Sequence, residues 1–139
     1  MPFTNYLDQK ITQLLFSNTT YTIPTTWYIA LSTTTPVQGA SPNFTEPGTG
    51  AYARVAVTNN TTNWGSITSE PTSGYTQQNN TAITFPTATG SWGTITYFGI
   101  YDASTAGNLV GFGALTTSQT ISTGVQASFA IGALTITNN

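Results

Sequence analysis

From Trp27 onward the chain is written as short alternating runs separated by turn residues, and this pattern narrows the accessible folds more than any other feature. The best run is Gly93-Thr94-Ile95-Thr96-Tyr97-Phe98-Gly99-Ile100-Tyr101. β-Branched and aromatic residues fit a pleated sheet, and a period of two gathers one set of side chains on a core face. Residues 27–32 read as a strand after the turn signal Ile23-Pro24, and residues 52–58 as the next. Residues 64–67 suggest a short strand. Residues 81–85 alternate and are expected to stop at Pro86, which cannot donate to a ladder. Residues 102–108 predict a hairpin loop, 109–115 the returning strand, Ile121-Ser122 a piece before the Gly124 turn, and 126–137 one or two closing strands. Residues 33–50, 59–63 and 69–80 read as loops or turns, the first long enough to suggest a function. Strands of this length and spacing predict an antiparallel β-sandwich, or a barrel-like relative. Gly-Ala-Leu-Thr occurs at Gly113 and again at Gly132, which reads as two edges of one sheet.

The N-terminal segment has a different period. Phe3, Leu7, Ile11, Leu14 and Leu15 recur at helical spacing. A short amphipathic helix is therefore expected over residues 1–18. Thr4 or Asn5 would cap it, and Asp8 would sit near the positive end of its dipole. Its apolar stripe packs on its own domain or docks onto a neighbouring subunit. At 139 residues the expectation is one domain over 1–139, with the helix at 1–18 and the β-sandwich at 25–139.

Composition bears on chemistry. Two cations and four carboxylates are the entire charge inventory, with no histidine and no cysteine. The charged residues are Asp8, Lys10, Glu46, Arg54, Glu70 and Asp102. Thiolate metal sites, disulfides and Ser–His triads are excluded outright. A paired-carboxylate mechanism needs two facing groups at a set separation, yet Glu46 and Glu70 each precede a proline in a polar segment. No catalytic residue, cofactor or metal site is expected. Two cations cannot hold a polyanion, so nucleic acid is not an expected partner. No apolar run reaches membrane length, and residues 1–5 show no secretory signal. A nearly neutral Thr- and Asn-rich surface suits a part docked in a large assembly.

Five residues stand out as candidate subunit or ligand contacts: Phe3 and Leu7 on the helix, Arg54, Trp64 and Trp92. Arg54 is the sole arginine. It either anchors a partner or pairs inside the chain with Glu46, Glu70 or Asp102. Trp27, Trp64 and Trp92 either fill the core and subunit seams or form a sugar-stacking platform, Trp92 being the most exposable because it follows a turn.

Ordered blocks along nearly the whole chain resemble a family of small structural proteins of tailed bacteriophages, often labelled tail fibre or minor tail proteins. The blocks include Tyr6-Leu7-Asp8, Pro24-Thr25-Thr26-Trp27, Gly50-Ala51-Tyr52-Ala53-Arg54, Phe85-Pro86-Thr87-Ala88-Thr89-Gly90-Ser91-Trp92 and Phe98-Gly99-Ile100-Tyr101-Asp102. The resemblance implies a non-enzymatic virion protein of the tail, neck or fibre, or a capsid-surface decoration, assembled in the host cytoplasm. It implies other phage virion proteins as partners. Symmetric homo-oligomers, trimers included, are expected on particle symmetry. Recognition of a host-surface glycan through exposed aromatics is the alternative.

Overall fold

The computed structural model describes residues 3–72 and 74–138. In chain order the elements are α1 (Asn5–Phe16), β1 (Thr26–Ser32), β2 (Val55–Thr58), α2 (Thr61–Trp64), β3 (Thr68–Glu70), β4 (Gly74–Gln78), β5 (Ile83–Thr87), β6 (Gly93–Tyr101), β7 (Leu109–Ile121), β8 (Gln126–Phe129) and β9 (Thr135–Asn138). They form a mainly β, antiparallel sandwich with an N-terminal helix. Of the helix expected over 1–18, Met1 and Pro2 lie outside the described residues, as does Asn139 at the other end of the expected domain.

The principal sheet has the order β2-β1-β6-β7. Its register sets Ile29 opposite Ile100 and Leu31 opposite Phe98. Both faces are covered, which is why β1 reads as a nearly continuous apolar run. On the inner face Ile29, Leu31, Phe98 and Ile100 pack with Ile83 and Phe85 of β5 and with Leu134. On the outer face Ala30, Tyr101, Leu109 and Phe112 form a second cluster, closed by Phe44 from the long loop. Gly99 makes this closure fit: a β-carbon there would come within 2.5 Å of the Phe44 ring. The loop over 33–50 is thus a cover for one face of the sheet. Ser32, fully buried, holds its two arms by accepting from the Thr34 and Thr45 N–H groups at 3.1 and 3.0 Å.

Helix α1 attaches by its first turn. Thr4 occupies the cap position, but its hydroxyl donates to the Leu109 carbonyl rather than to the helix. The Thr4 N–H bonds Val110 O at 3.0 Å, and the Asn5 N–H bonds Gln38 O at 2.9 Å. Phe3 forms an antiparallel bridge with Gly111 of β7. No residue of α1 is buried, although Tyr6 and Leu7 pack against the core.

Five local expectations are corrected. Residues 64–67 are not a strand: Asn60 Oδ1 accepts from the Asn63 N–H at 2.9 Å, capping the single turn α2, which ends at Gly65 with φ 63°. Cap chemistry overrides the strand tendency of Trp64 and Ile67. Residues 69–80, of which Ser73 lies outside the described residues, hold most of the β3–β4 hairpin rather than a loop, and the hairpin joins β9 in a three-stranded sheet. Its polar, largely exposed strands carry no apolar alternation to read. Strand β5, expected to stop at Pro86, runs through it; Pro86 falls within a register shift between Thr84 and Thr87, where a ladder tolerates a missing donor. The strand expected over 52–58 covers only β2, because Tyr52 and Arg54 turn toward Glu46. The two Gly-Ala-Leu-Thr stretches do not edge one sheet: the first lies in β7, the second in the turn entering β9.

Candidate functional site

Arg54, just ahead of β2, holds the densest polar cluster. Its Nε donates to Glu46 Oε1 and Oε2 at 3.0 and 3.2 Å, and Nη2 donates to Oε2 at 2.7 Å. Nη1 donates to the carbonyls of Ala103 and Ala106 at 2.7 and 2.8 Å. The guanidinium lies 3.6 Å from the centre of the Tyr101 ring. Tyr52 completes the cluster, donating to Glu46 Oε1 at 2.7 Å and accepting from the Leu31 N–H at 2.9 Å. Only a planar fork can meet a carboxylate and two carbonyls while stacked on a ring. Four of the five guanidinium N–H groups are thereby taken, so the cluster ties segments together and holds little in reserve for an outside anion.

Burial is the largest influence on Arg54 and opposes its charge, but the Glu46 hydrogen bonds and negative charge outweigh it and raise the pKa. Burial pushes Tyr52 far above the ordinary tyrosine value, with Glu46 adding to the rise and the Leu31 N–H opposing it. Tyr101 is raised by burial and then by Glu46. Tyr6 and Tyr21 are raised too, by burial first, with Asp102 adding in both and Tyr6 in the second. The remaining carboxylates do not converge. Asp102 closes its own hairpin loop, accepting from Asn108 N–H and Nδ2 at 2.7 and 2.8 Å. Among the described residues no group of three or more His, Cys, Asp or Glu could hold a metal ion. No helix among them is long and apolar enough to cross a membrane.

The five sequence candidates do not share one exposed surface: Trp64 and Trp92 belong to one core cluster and Leu7 packs against it, while Phe3 and Arg54 lie outside it. Trp64 and Trp92 are each 3% exposed. Contrary to its position after a turn, Trp92 is the better fixed of the two. Its Nε1 donates to Gly50 O at 2.8 Å and its ring stands edge-on to Tyr52 at 5.2 Å. Leu7 is half-buried against the core. Phe3 lines a shallow apolar cleft of about 360 Å³ with Ile67, Tyr75 and Ile136. Ile67 and Tyr75 are 64% and 59% exposed; neither stands out in the sequence, because Tyr75 lies in a stretch that reads as polar loop and Ile67 at the end of one that reads as a short strand. A second exposed apolar group ends α1: Leu14, Leu15 and Phe16.

A mainly β sandwich that turns its arginine inward and exposes apolar side chains at the α1 tip and the Phe3 cleft has surface of the kind by which proteins associate. The chain belongs to the family described as Podophage GP4 fiber I protein gp80, whose family model matches residues 2–137. It is therefore a structural, fibre-type phage protein, incorporated in the virion in association with other virion proteins. No curated protein sequence matches it.

Proposed function

We propose that the chain is a non-enzymatic subunit of the fibre or neighbouring tail and neck apparatus, and that it works by subunit–subunit assembly as a symmetric homo-oligomer, with trimers as the expected form. The observation that carries this reading is the apolar surface. Large apolar side chains stand out at the end of α1 and around the Phe3 cleft, on a chain with six charges in 139 residues. Such surfaces are stabilised by removal from water and by neutral hydrogen bonds, with little Coulomb contribution. Decoration of the capsid surface would use the same physics at another location.

Washing purified virions in about 1 M salt shortens the Debye length to about 3 Å and weakens charge-held contacts. The subunit is expected to stay on the particle. Its release as an intact protein by salt alone would show that charged partner surfaces hold it. Stacking of a host glycan on Trp64 or Trp92 gains no support from rings that are buried.

A further inference from the structure

A cleft of about 590 Å³ opens where the start of α1, the long loop and the hairpin loop between β6 and β7 meet. Asn5, Tyr6, Gln9, Gly39, Arg54 and Asn108 are among the residues that line it. Several of its polar groups are uncommitted. Asn5 and Gln9 are exposed on α1, and neither side-chain amide is bonded to another described residue. Asn108 gives Nδ2 to Asp102, which leaves its Oδ1 to accept. The Arg54 side chain is only 6% exposed. Its Nη2 commits one N–H to Glu46, and the second meets no acceptor among the described residues. A buried charged donor left in this state is costly unless a group from outside the chain accepts from it. Gly39 keeps the opposite wall clear, since a β-carbon there would meet nothing within 4 Å.

We infer that this cleft binds a neutral saccharide, one or two sugar rings in size, with Arg54 Nη2 donating to a sugar oxygen and the amides of Asn5, Gln9 and Asn108 bonding to hydroxyl groups. The volume lies within the ordinary range of ligand sites, roughly 300–1,000 Å³. Each hydroxyl of a sugar both donates and accepts, and an amide presents a donor and an acceptor side by side. Ala40 and Pro42 supply apolar wall for the C–H groups of the ring. An anion fits less well. Arg54 is the sole charged residue lining the cleft, and Glu46 already neutralises it. Lys10 stands 5.5 Å from the centre of the Tyr6 ring, but Asp102 is also close enough to act on the Tyr6 hydroxyl. No net positive charge is left to draw a carboxylate or phosphate. The cleft shares no residue with the α1 tip or the Phe3 cleft, so this site is independent of the assembly reading.

The test is an NMR titration of the isotopically labelled full chain. The neutral probes are D-glucose, D-galactose and N-acetyl-D-glucosamine; the anionic probes are D-glucuronate and inorganic phosphate. At least one neutral sugar is expected to shift the Gln9, Gly39 and Asn108 signals with a Kd of order 1 mM, as suits a single ring held by a few hydrogen bonds. The anions should leave those signals in place. Gly39→Leu fills the cleft and should weaken binding more than about tenfold, a larger loss than one hydrogen bond gives. Gly48→Leu lies in the same loop, is equally open and does not line the cleft, so it should bind as the wild type does. Gln9→Ala, on the exposed side of α1, should weaken binding about fivefold, and it decides the matter if Gly39→Leu fails to fold. Unchanged melting temperatures check folding of all three. No response to any of the three sugars would overturn the inference. So would binding that survives Gly39→Leu and Gln9→Ala unaltered, or anions that shift the same signals as strongly as the sugars. None of these results bears on retention of the subunit in salt-washed virions, which tests the assembly reading separately.

Discussion

At Arg54 one guanidinium joins the long loop, the approach to β2 and the hairpin loop between β6 and β7. Its side chain is 6% exposed and that of Glu46 24%. Arg54→Met should leave two carbonyls without their donor and Glu46 with the Tyr52 hydroxyl alone. The expected loss is about 3 kcal/mol, the lower end for breaking a buried pair, because Glu46 keeps some contact with water. Chemical denaturation measures it, and a change under about 1 kcal/mol would mean that water replaces the fork. Arg54→Lys should recover only part, since an ammonium cannot bridge three acceptors in a plane. The tyrosines set the alkaline limit. Tyr6, Tyr21, Tyr52 and Tyr101 all titrate above the ordinary value of 10.0 in the folded chain. Unfolding above that pH releases protons, so their contribution is complete below pH 10.0 and declines as pH rises through the folded values. Melting temperature should therefore fall from about pH 10 upward, and Tyr52→Phe should make the fall shallower. An unchanged slope in that variant would remove Tyr52 from the account.

Among the elements, two short connections differ in what depends on them. Asn60 caps one turn of helix with a single side-chain bond. Asn79, 1% exposed, donates to Thr81 O and Ala130 O, both at 2.9 Å, and accepts from the Leu134 N–H at 2.8 Å, tying the end of β4 to the turn between β8 and β9. Asn60→Ala should cost about 1 kcal/mol. Asn79→Ala strands the buried Leu134 N–H, at about 1–3 kcal/mol, removes two part-buried bonds as well, and should cost more. Equal melting temperatures for the two variants would refute this ranking. The same contrast governs what the sequence discloses. Strand β6 is legible because a run of β-branched and aromatic residues extends from Gly93 to the turn residue Asp102. The β3–β4 hairpin is not, because apart from Tyr75 its strands are Thr, Ser, Glu, Gln and Gly at a partly exposed sheet. Glu46 is legible as one of three carboxylates for Arg54. The Ala103 and Ala106 carbonyls are not, since they enter through loop geometry, with Ala106 at φ 50°. Aromatic content likewise does not distinguish a covered ring from an open one. Trp92 follows a turn but is roofed by the Gly50 backbone, which approaches Gly90 so closely that a β-carbon at Gly50 would lie 2.7 Å from Gly90 O.

On the scale of the whole molecule, one core reaches from the principal sheet through β5 to Leu134 and Ile136, while a second lies beneath the long loop. Outside these cores, large apolar side chains are exposed at the α1 tip, around the Phe3 cleft and at Ile23, Val37, Val125 and Ile131, and the assembly reading starts from the first two groups. The N-terminal attachment has a mechanical consequence. Phe3 and Thr4 run antiparallel to Leu109, Val110 and Gly111, joined to β7 by bonds that cross between the chains. Tension along that segment loads these bonds side by side, in shear, and passes into the edge of the largest sheet. A pull at right angles would peel them one after another. The subunit thus has a stiff and a soft direction, and a fibre that bends or is drawn taut would hold its subunits most firmly when the load follows β7.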